Sequence, residues 1–460
     1  MAEPLWTSDE IIRATGGLLQ GADFAAMGVS IDTRTLEPGD LFVALKGERD
    51  GHAYARDAFA KGAAGVLASQ PVEGPHIEVD DTLIGLEQLG VAARDRTNAS
   101  RSAVTGSVGK TSVTQAVKAA LALAGPAHGS VKSYNNQIGV PLTLARMPQA
   151  TRRAVFEIGM NHAGEIEPLS RMVAPHAVAV TTVGPVHIEN FADGEAGVAR
   201  AKAEIFAGLI PGGSAVLNAD DQWFGLLRDR AVAAGARVLS FGSGEGCDAR
   251  LLGVEPAPGG SVVRAVINGD GLEFPILQTG AHWGPNSLCV LLMLEALDVD
   301  LATALEALAA FAPIGGRGAE RTIALEGGDM VLVDESYNAN PISMRAAIAT
   351  LGARPAKGRR IAALTDMLEL GPEGPQMHAD LAGPLRAAKV DLVFLAGPLM
   401  RHLWDALPAG LRGAYAETAP ELAGEVTTAA RPGDVVMVKG SNGSKAGAIA
   451  AALGDLGGAG

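Results

Sequence analysis

Thr105-Gly106-Ser107-Val108-Gly109-Lys110-Thr111-Ser112 carries the clearest chemistry in this chain. It follows a short β-type run, Arg101-Ser102-Ala103-Val104, and opens a helical run over 113–123. Glycines at such a turn let backbone N–H groups point inward and cradle phosphate. A helix N-terminus adds positive potential, a lysine there reaches the β- and γ-phosphates, and the next threonine can hold Mg²⁺. Gly106, Ser107, Val108, Gly109, Lys110, Thr111 and Ser112 are therefore candidate nucleotide-binding residues. Six residues before Lys110 stands Val104 rather than glycine, so the motif is a shortened TGxxGK[ST] variant. A plain Gly/Ser turn before a helix is the bland alternative; the strand–loop–helix context favours the phosphate loop.

Open parallel sheets bind ligands beyond the carboxyl ends of their strands. Glu157 ends the run Ala154-Val155-Phe156, and His187 follows Thr181-Thr182 through Val183-Gly184-Pro185-Val186. Together with the Thr111 hydroxyl they form a candidate Mg²⁺ site, although that ion prefers oxygen ligands and keeps waters. Alone, Glu157 reads as a surface charge at a strand end and His187 as a structural histidine. Lys202, on the helical run 195–209, reads as a solvated lysine. Arg317 is either a loop charge or a phosphate-binding arginine acting across a cleft. Asp334 opens Asp334-Glu335-Ser336-Tyr337-Asn338-Ala339-Asn340-Pro341, which is either an Asx/Pro turn or a strand end whose Asp accepts ribose hydroxyls.

The elements that must position these residues follow an α/β pattern. Residues 1–97 read as a small α/β unit, 98–313 as a doubly wound parallel sheet, and 314–460 as a dinucleotide-fold-like unit without a GxGxxG fingerprint. Residues 246–280 interrupt the alternation and read as an added antiparallel patch. Residues 286–310 read as helical, and Pro313-Ile314-Gly315-Gly316-Arg317-Gly318 as a linker. At 460 residues and 48% hydrophobic, the chain can bury ample core. Its net charge of −14 argues against nucleic acid as the main partner. No apolar run approaches the ~18 residues of a membrane span, and no signal peptide is visible, so a cytoplasmic protein is expected. Cys247 and Cys289, the two cysteines, have no metal-ligand spacing and fit a reducing compartment.

Taken in order, the motifs resemble the ATP-dependent Mur ligases of peptidoglycan synthesis along essentially the whole chain. Ser30-Ile31-Asp32-Thr33-Arg34, the phosphate loop, Tyr134-Asn135-Asn136-Gln137-Ile138-Gly139-Val140-Pro141, and Glu157-Ile158-Gly159-Met160-Asn161 carry the resemblance. So do Val183 to Glu189, Asp334 to Pro341, Asp366-Met367-Leu368-Glu369-Leu370-Gly371, and Val438-Lys439-Gly440-Ser441. The resemblance implies three α/β domains: a substrate-binding N-terminal one, a central P-loop-type sheet, and a Rossmann-like C-terminal one. It implies ATP and Mg²⁺. The implied substrates are UDP-N-acetylmuramoyl-tripeptide and D-alanyl-D-alanine, joined through an acyl phosphate by a monomer that neither binds nucleic acid nor enters a membrane.

By the same resemblance, Lys110 and the loop hold ATP phosphates, and Thr111 and Glu157 bind one Mg²⁺. His187 and Lys202, the latter as its carbamate, help hold a second. Asn286 contacts adenine, Arg317 the γ-phosphate and Asp334 the ribose. Ser30, Asp32 and Arg34 lie around the UDP group; Asn135, Asn136, Asn338 and Ser441 are assigned to substrate. Two rivals remain at this level: a sister ligase adding a single amino acid, and a nucleotide-gated binding module. The chain departs from the family at Trp283, Thr365 and Asn442, where relatives commonly have Asn, Gly and Arg.

Overall fold

In the computed structural model, residues 3–131 and 133–458 are described. They form an α/β structure built on three main sheets. The first has the strand order Leu18–Gln20, His76–Glu78, Gly65–Ala68, Asp40–Val43, Gly28–Ser30, parallel except for its first pair.

The second sheet has nine strands. Ser100–Thr105 lies between Arg153–Glu157 and Ala177–Val180, with all pairings there parallel. Side chains alternate along these strands, which sends successive residues to opposite faces. Val104, Val155 and Ala179 pack on one face with Val113, Val117 and Leu292. Ala103, Phe156 and Val178 pack on the other with Val140, Ile166 and Val198. Two layers of helices are thus required, which is why these strands are apolar throughout. The expected antiparallel patch exists as Ala249–Ala257, Gly260–Ile267 and Asp270–Ile276. It is continuous with the parallel sheet, since Phe241 and Gly242 pair in parallel with Ala249 and Arg250.

The third sheet runs Ala319–Leu325, Gly328–Glu335, Val435–Lys439, Arg360–Thr365, Leu392–Ala396, Arg412–Ala416, and is parallel after its first antiparallel pair. Helices cover both of its faces.

Three expected helices differ in extent. The helix after the phosphate loop starts at Lys110, because Gly109 supplies a left-handed N-cap. The run 195–209 splits into Glu195–Ala203 and a 3₁₀ turn, Glu204–Gly208. There the Glu204 carboxylate accepts N–H groups of Gly164, Ile166 and Glu167, capping a neighbouring helix that lacks its own cap. The run 286–310 is two helices, Trp283–Glu295 and Leu301–Ala310, the second capped by Asp300.

The first sheet is tied to the second by polar contacts. Trp6 Nε1 donates to Ala145 O at 2.8 Å, and Arg146 Nε to Val29 O at 2.6 Å.

His128, on the edge strand Ala127–Gly129, gives a pH test of this packing. Its Nε2 lies 2.7 Å from Thr143 O, so that nitrogen carries the proton. Burial lowers its pKa from 6.5 to about 4. The unfolded chain therefore binds more protons than the folded one between these values, and stability must fall as pH drops through that window. For this partly buried residue the loss between pH 7 and 5 is about 1–2 kcal/mol. Urea midpoints of His128→Gln should fall less over that range than those of the parent. The slope should not vanish, because burial also lowers His176 and His378.

Candidate active site

The central position of Ser100–Thr105 delivers the phosphate loop to the middle of the sheet's carboxyl edge. Gly106 has φ +147° and Gly109 φ +90°. A Cβ at Gly106 would overlap Thr181 Oγ1, and one at Gly109 would sit 3.0 Å from Asn286 Oδ1. The turn is pinned from the neighbouring strand end. Ser107 Oγ donates to Gly184 O at 3.1 Å and accepts from Gly184 N at 2.9 Å, while Thr181 Oγ1 donates to Val108 O at 2.5 Å. Lys110 Nζ donates to Gly106 O at 2.6 Å, folded back along its own loop.

Above this loop lies a cavity of about 400 Å³ between the second and third sheets. Of the residues singled out in the sequence, it is lined by Ser107, Val108, Gly109, Lys110, Thr111, Ser112, Asn135, Glu157, His187 and Asn286 from one side. Arg317 and Asn338 line it from the other.

Glu157 is 1% exposed; its Oε1 accepts from Asn135 Nδ2 at 2.7 Å, and its Oε2 has no partner. Thr111 Oγ1 is 3.2 Å from Ser133 Oγ, and Arg317 Nη2 reaches the same Ser133 oxygen at 3.4 Å. The Arg317 guanidinium also stacks 4.3 Å over the Tyr337 ring. His187 Nδ1 lies 2.6 Å from Glu369 Oε2, but the angles are not those of a hydrogen bond. Burial lowers the Lys110 pKa against the pull of Glu157. Burial, reinforced by the charge of Lys110, pushes Lys202 well below its usual value.

The donors fit phosphate and a hard divalent cation. Gly106 and Gly109 let the loop pack closely against Thr181 and Asn286, and Lys110 and Arg317 line the cavity beside it. Glu157 Oε2 is a buried oxygen with no partner, close to the charge of Lys110. Among the described residues no cluster of three His, Cys, Asp or Glu side chains forms a closed metal cage. Mg²⁺ would thus be held by Thr111 and Glu157 together with water and phosphate oxygens, which is that ion's usual preference.

Other predicted residues lie outside this cavity. Gly106 and Lys202 sit behind its wall. Asp334 lines a separate cavity with Asn442 and Lys445. Its Oδ1 accepts from Ser336 and its Oδ2 from Gly316 N at 3.2 Å, so it pins the turn that carries Arg317. Ser441 Oγ accepts from Leu368 N and donates to Ala339 O. Asn136 Oδ1 accepts from Ile138 N and Gly139 N at a helix start. Ser30, Asp32 and Arg34 sit on the first sheet and the turn after it. There Ser30 Oγ donates to Asp32 O and an exposed ion pair joins Asp32 to Arg34.

Ser133, Thr181, Tyr337 and His282 belong to the cavity but escaped the sequence reading. Thr181 and Tyr337 stood inside quoted motifs and were the recoverable ones. Ser133 carries no signal of its own, and the unpartnered buried Nδ1 of His282 is a purely three-dimensional feature.

Gly109→Ala should strain the loop and press on Asn286. Calorimetry should show nucleotide affinity falling by tenfold or more, roughly 1.4 kcal/mol. Gly125→Ala is the control, with φ +133° but nothing within 4 Å of the added carbon. It should cost comparable stability and leave nucleotide binding intact.

Three family models match the chain in series: the Mur ligase family catalytic domain over residues 9–108, the Mur ligase middle domain over 104–294, and the Mur ligase glutamate ligase domain over 321–442. The UDP-N-acetylmuramoyl-tripeptide–D-alanyl-D-alanine ligase of Escherichia coli is 34% identical over 396 residues, covering 85% of this chain and 86% of that protein. The ligase of the same name from Bacillus subtilis is 32% identical over 445 residues, covering 95% of each. The crystal structure of MurF from Acinetobacter baumannii superposes with a TM-score of 0.85 at 27% identity, covering 98% of this chain and 99% of that one. With its phosphate loop, its three sheets and relatives of this identity over most of its length, the chain belongs to the Mur ligase family.

Proposed function

We infer that this chain is an ATP-dependent ligase that joins D-alanyl-D-alanine to UDP-N-acetylmuramoyl-tripeptide in peptidoglycan precursor synthesis. One observation carries the reading. Lys110, Thr111, the unpartnered Glu157 Oε2 and, from across the linker, Arg317 meet in a single cavity. The names of the relatives support the choice of substrates.

A carboxylate is a poor electrophile, and transfer of the γ-phosphoryl group gives it a leaving group. That step brings two anions together, so catalysis consists of positioning and charge stabilisation. The loop N–H groups and Lys110 follow charge on the transferring group, and Arg317 meets it from the third sheet's side. Mg²⁺, held by Thr111 and Glu157, would neutralise phosphate oxygens. Asn286 is assigned to adenine. Asn135 orients Glu157, and Asn338 faces the peptide end of the cleft. Asp334 acts on the nucleotide through the turn it pins, and its Oδ2, with a single N–H donor, keeps acceptor capacity for a ribose hydroxyl. Ser441 and Asn136 serve substrate by fixing the loops around it, and Ser30, Asp32 and Arg34 form the UDP end. We place domain boundaries at 97 and 313 and the reaction in the cytoplasm, where ATP and UDP-linked precursors are available. No helix of the described residues is long and apolar enough to cross a membrane.

The test is product formation. With ATP, UDP-N-acetylmuramoyl-tripeptide and D-alanyl-D-alanine, phosphate release should require both co-substrates, and mass spectrometry should find the pentapeptide product. Release with neither co-substrate, or with a single amino acid in place of the dipeptide, would overturn the reading. Lys110→Ala should lower kcat by about 10²–10³.

Lys202 adds a sharper test. It is 3% exposed, and no carboxylate pairs with it among the described residues. A lowered pKa favours its neutral amine, the form that adds CO₂ to give a carbamate with two anionic oxygens. That anion, with His187, suits a second Mg²⁺ far better than an ammonium does. Lys202→Ala should lose most activity and regain part of it when a short-chain carboxylic acid is added. An unaffected Lys202→Ala enzyme would sink the carbamate.

A further inference from the structure

Two non-glycine residues with left-handed backbone approach each other beside the cavity: His187, which lines it, at φ +56°, and Glu369, just outside its lining, at φ +63°. Residues with a Cβ seldom adopt that conformation, and it persists where the surroundings over-determine it. Glu369 sits in such surroundings. The Asp366 carboxylate accepts N–H groups of Leu399 and Met400. Met367 N donates to His378 Nε2 at 2.9 Å, and Leu368 N donates to Ser441 Oγ at 3.0 Å. Three consecutive residues are thus anchored by polar contacts, and the chain then presents Glu369 toward the second sheet. Its carboxylate is half-exposed and approaches His187 Nδ1 to 2.6 Å.

Lys110 and Arg317 line the cavity and suit anionic phosphates and carboxylates. Of the carboxylates that line it, Glu157 faces the charge of Lys110 and Glu335 pairs with Lys439, whereas Glu369, beside it, has no lysine or arginine partner among the described residues. The one reacting group that arrives as a cation is the amine, whose α-ammonium has a pKa of about 8.

We propose that Glu369 is the amine-binding residue of this cleft, accepting hydrogen bonds from the ammonium of the incoming dipeptide and holding its nitrogen beside His187. The assignment rests on the ligase reading above. It adds that the third sheet's side of the cleft supplies both the cation Arg317 for the phosphoryl group and the anion Glu369 for the amine.

The experiment compares the parent with Glu369→Gln, Glu369→Ala and Glu369→Asp. Michaelis constants are measured separately for the dipeptide, ATP and the UDP-linked tripeptide. In parallel, hydroxylamine replaces the dipeptide and the hydroxamate is quantified. Hydroxylamine is largely uncharged at neutral pH and needs no carboxylate to receive it, so its capture reports acyl-phosphate formation alone. The dipeptide KM should rise about ten- to a hundredfold in the Gln and Ala variants, as for a lost charge-assisted hydrogen bond, with partial recovery in Asp. The other two KM values and hydroxamate formation should stay at parent levels, which also shows that the variants are folded. An unchanged dipeptide KM, a joint rise of all three constants, or hydroxamate lost in step with amide product would overturn the proposal. A parent that makes neither product overturns the ligase reading and this assignment together. A parent that makes both, with variants that keep its dipeptide KM, overturns Glu369 alone.

Discussion

Lys110, half-buried, and Lys202, buried, lie within reach of each other's charge, with Glu157 the opposing charge that acts on Lys110. Placing unneutralised cations in a low-dielectric interior is costly, and a protein tolerates it where a ligand supplies the missing anion. Much of the molecule serves that constraint. The apolar strands hold the cluster rigid from behind. The loop glycines let the turn pack against Thr181 and Asn286. Arg317 is brought over the top only because Asp334 pins the turn at Gly316, where an added Cβ would strike Tyr337. Without such supports the side chains would turn outward, as lysine and arginine usually do.

Two sheets with parallel cores, set with their carboxyl edges toward one cavity, provide the supports. At each edge the cavity-lining side chains, Lys110 and Glu157 on one and Arg317 on the other, come from strand ends and short turns. The anchors are local and polar. Ser107 and Thr181 fix the phosphate loop, Asn135 fixes Glu157, and Ser441 and His378 fix the loop before Glu369. Each is worth little alone, about 1 kcal/mol, yet together they set geometry to a fraction of an ångström.

The parallel strands of the two large sheets were legible because both of their faces are buried, which leaves continuous runs such as Ala177-Val178-Ala179-Val180. Edge strands were not. Ala319–Leu325 mixes charge with apolar residues, and Leu18–Gln20 is three residues long. Such strands are specified by their neighbours rather than by their own pattern. The helix break near 203–208 depends on Glu204 reaching a distant helix, a tertiary contact no local window contains. For the site, motif order singled out residues of which Lys110, Glu157, His187 and Arg317 line one cavity. It could not separate those that face the cavity from those that hold a loop, because that depends on side-chain direction after folding.

This separation changes what a motif residue means. Asp334, Asn136 and Ser441 stand in the same strings as Asn135 and Arg317, yet their side-chain oxygens accept from backbone N–H groups. Replacing one should act through a neighbour: Asp334 through the reach of Arg317, Ser441 through the loop of Glu369, Asn136 through the helix start beside Asn135. Loss at such a residue resembles loss at a ligand-binding one in a simple activity assay, but its cause is disorder of the loop. The distinction lies in whether ligand contacts are removed or merely misplaced, and the hydrogen-bond partners of each side chain decide it. In this cleft the residues with an unpartnered buried atom, Glu157, His187 and His282, line the cavity. Those whose hydrogen bonds are complete within the protein build the frame.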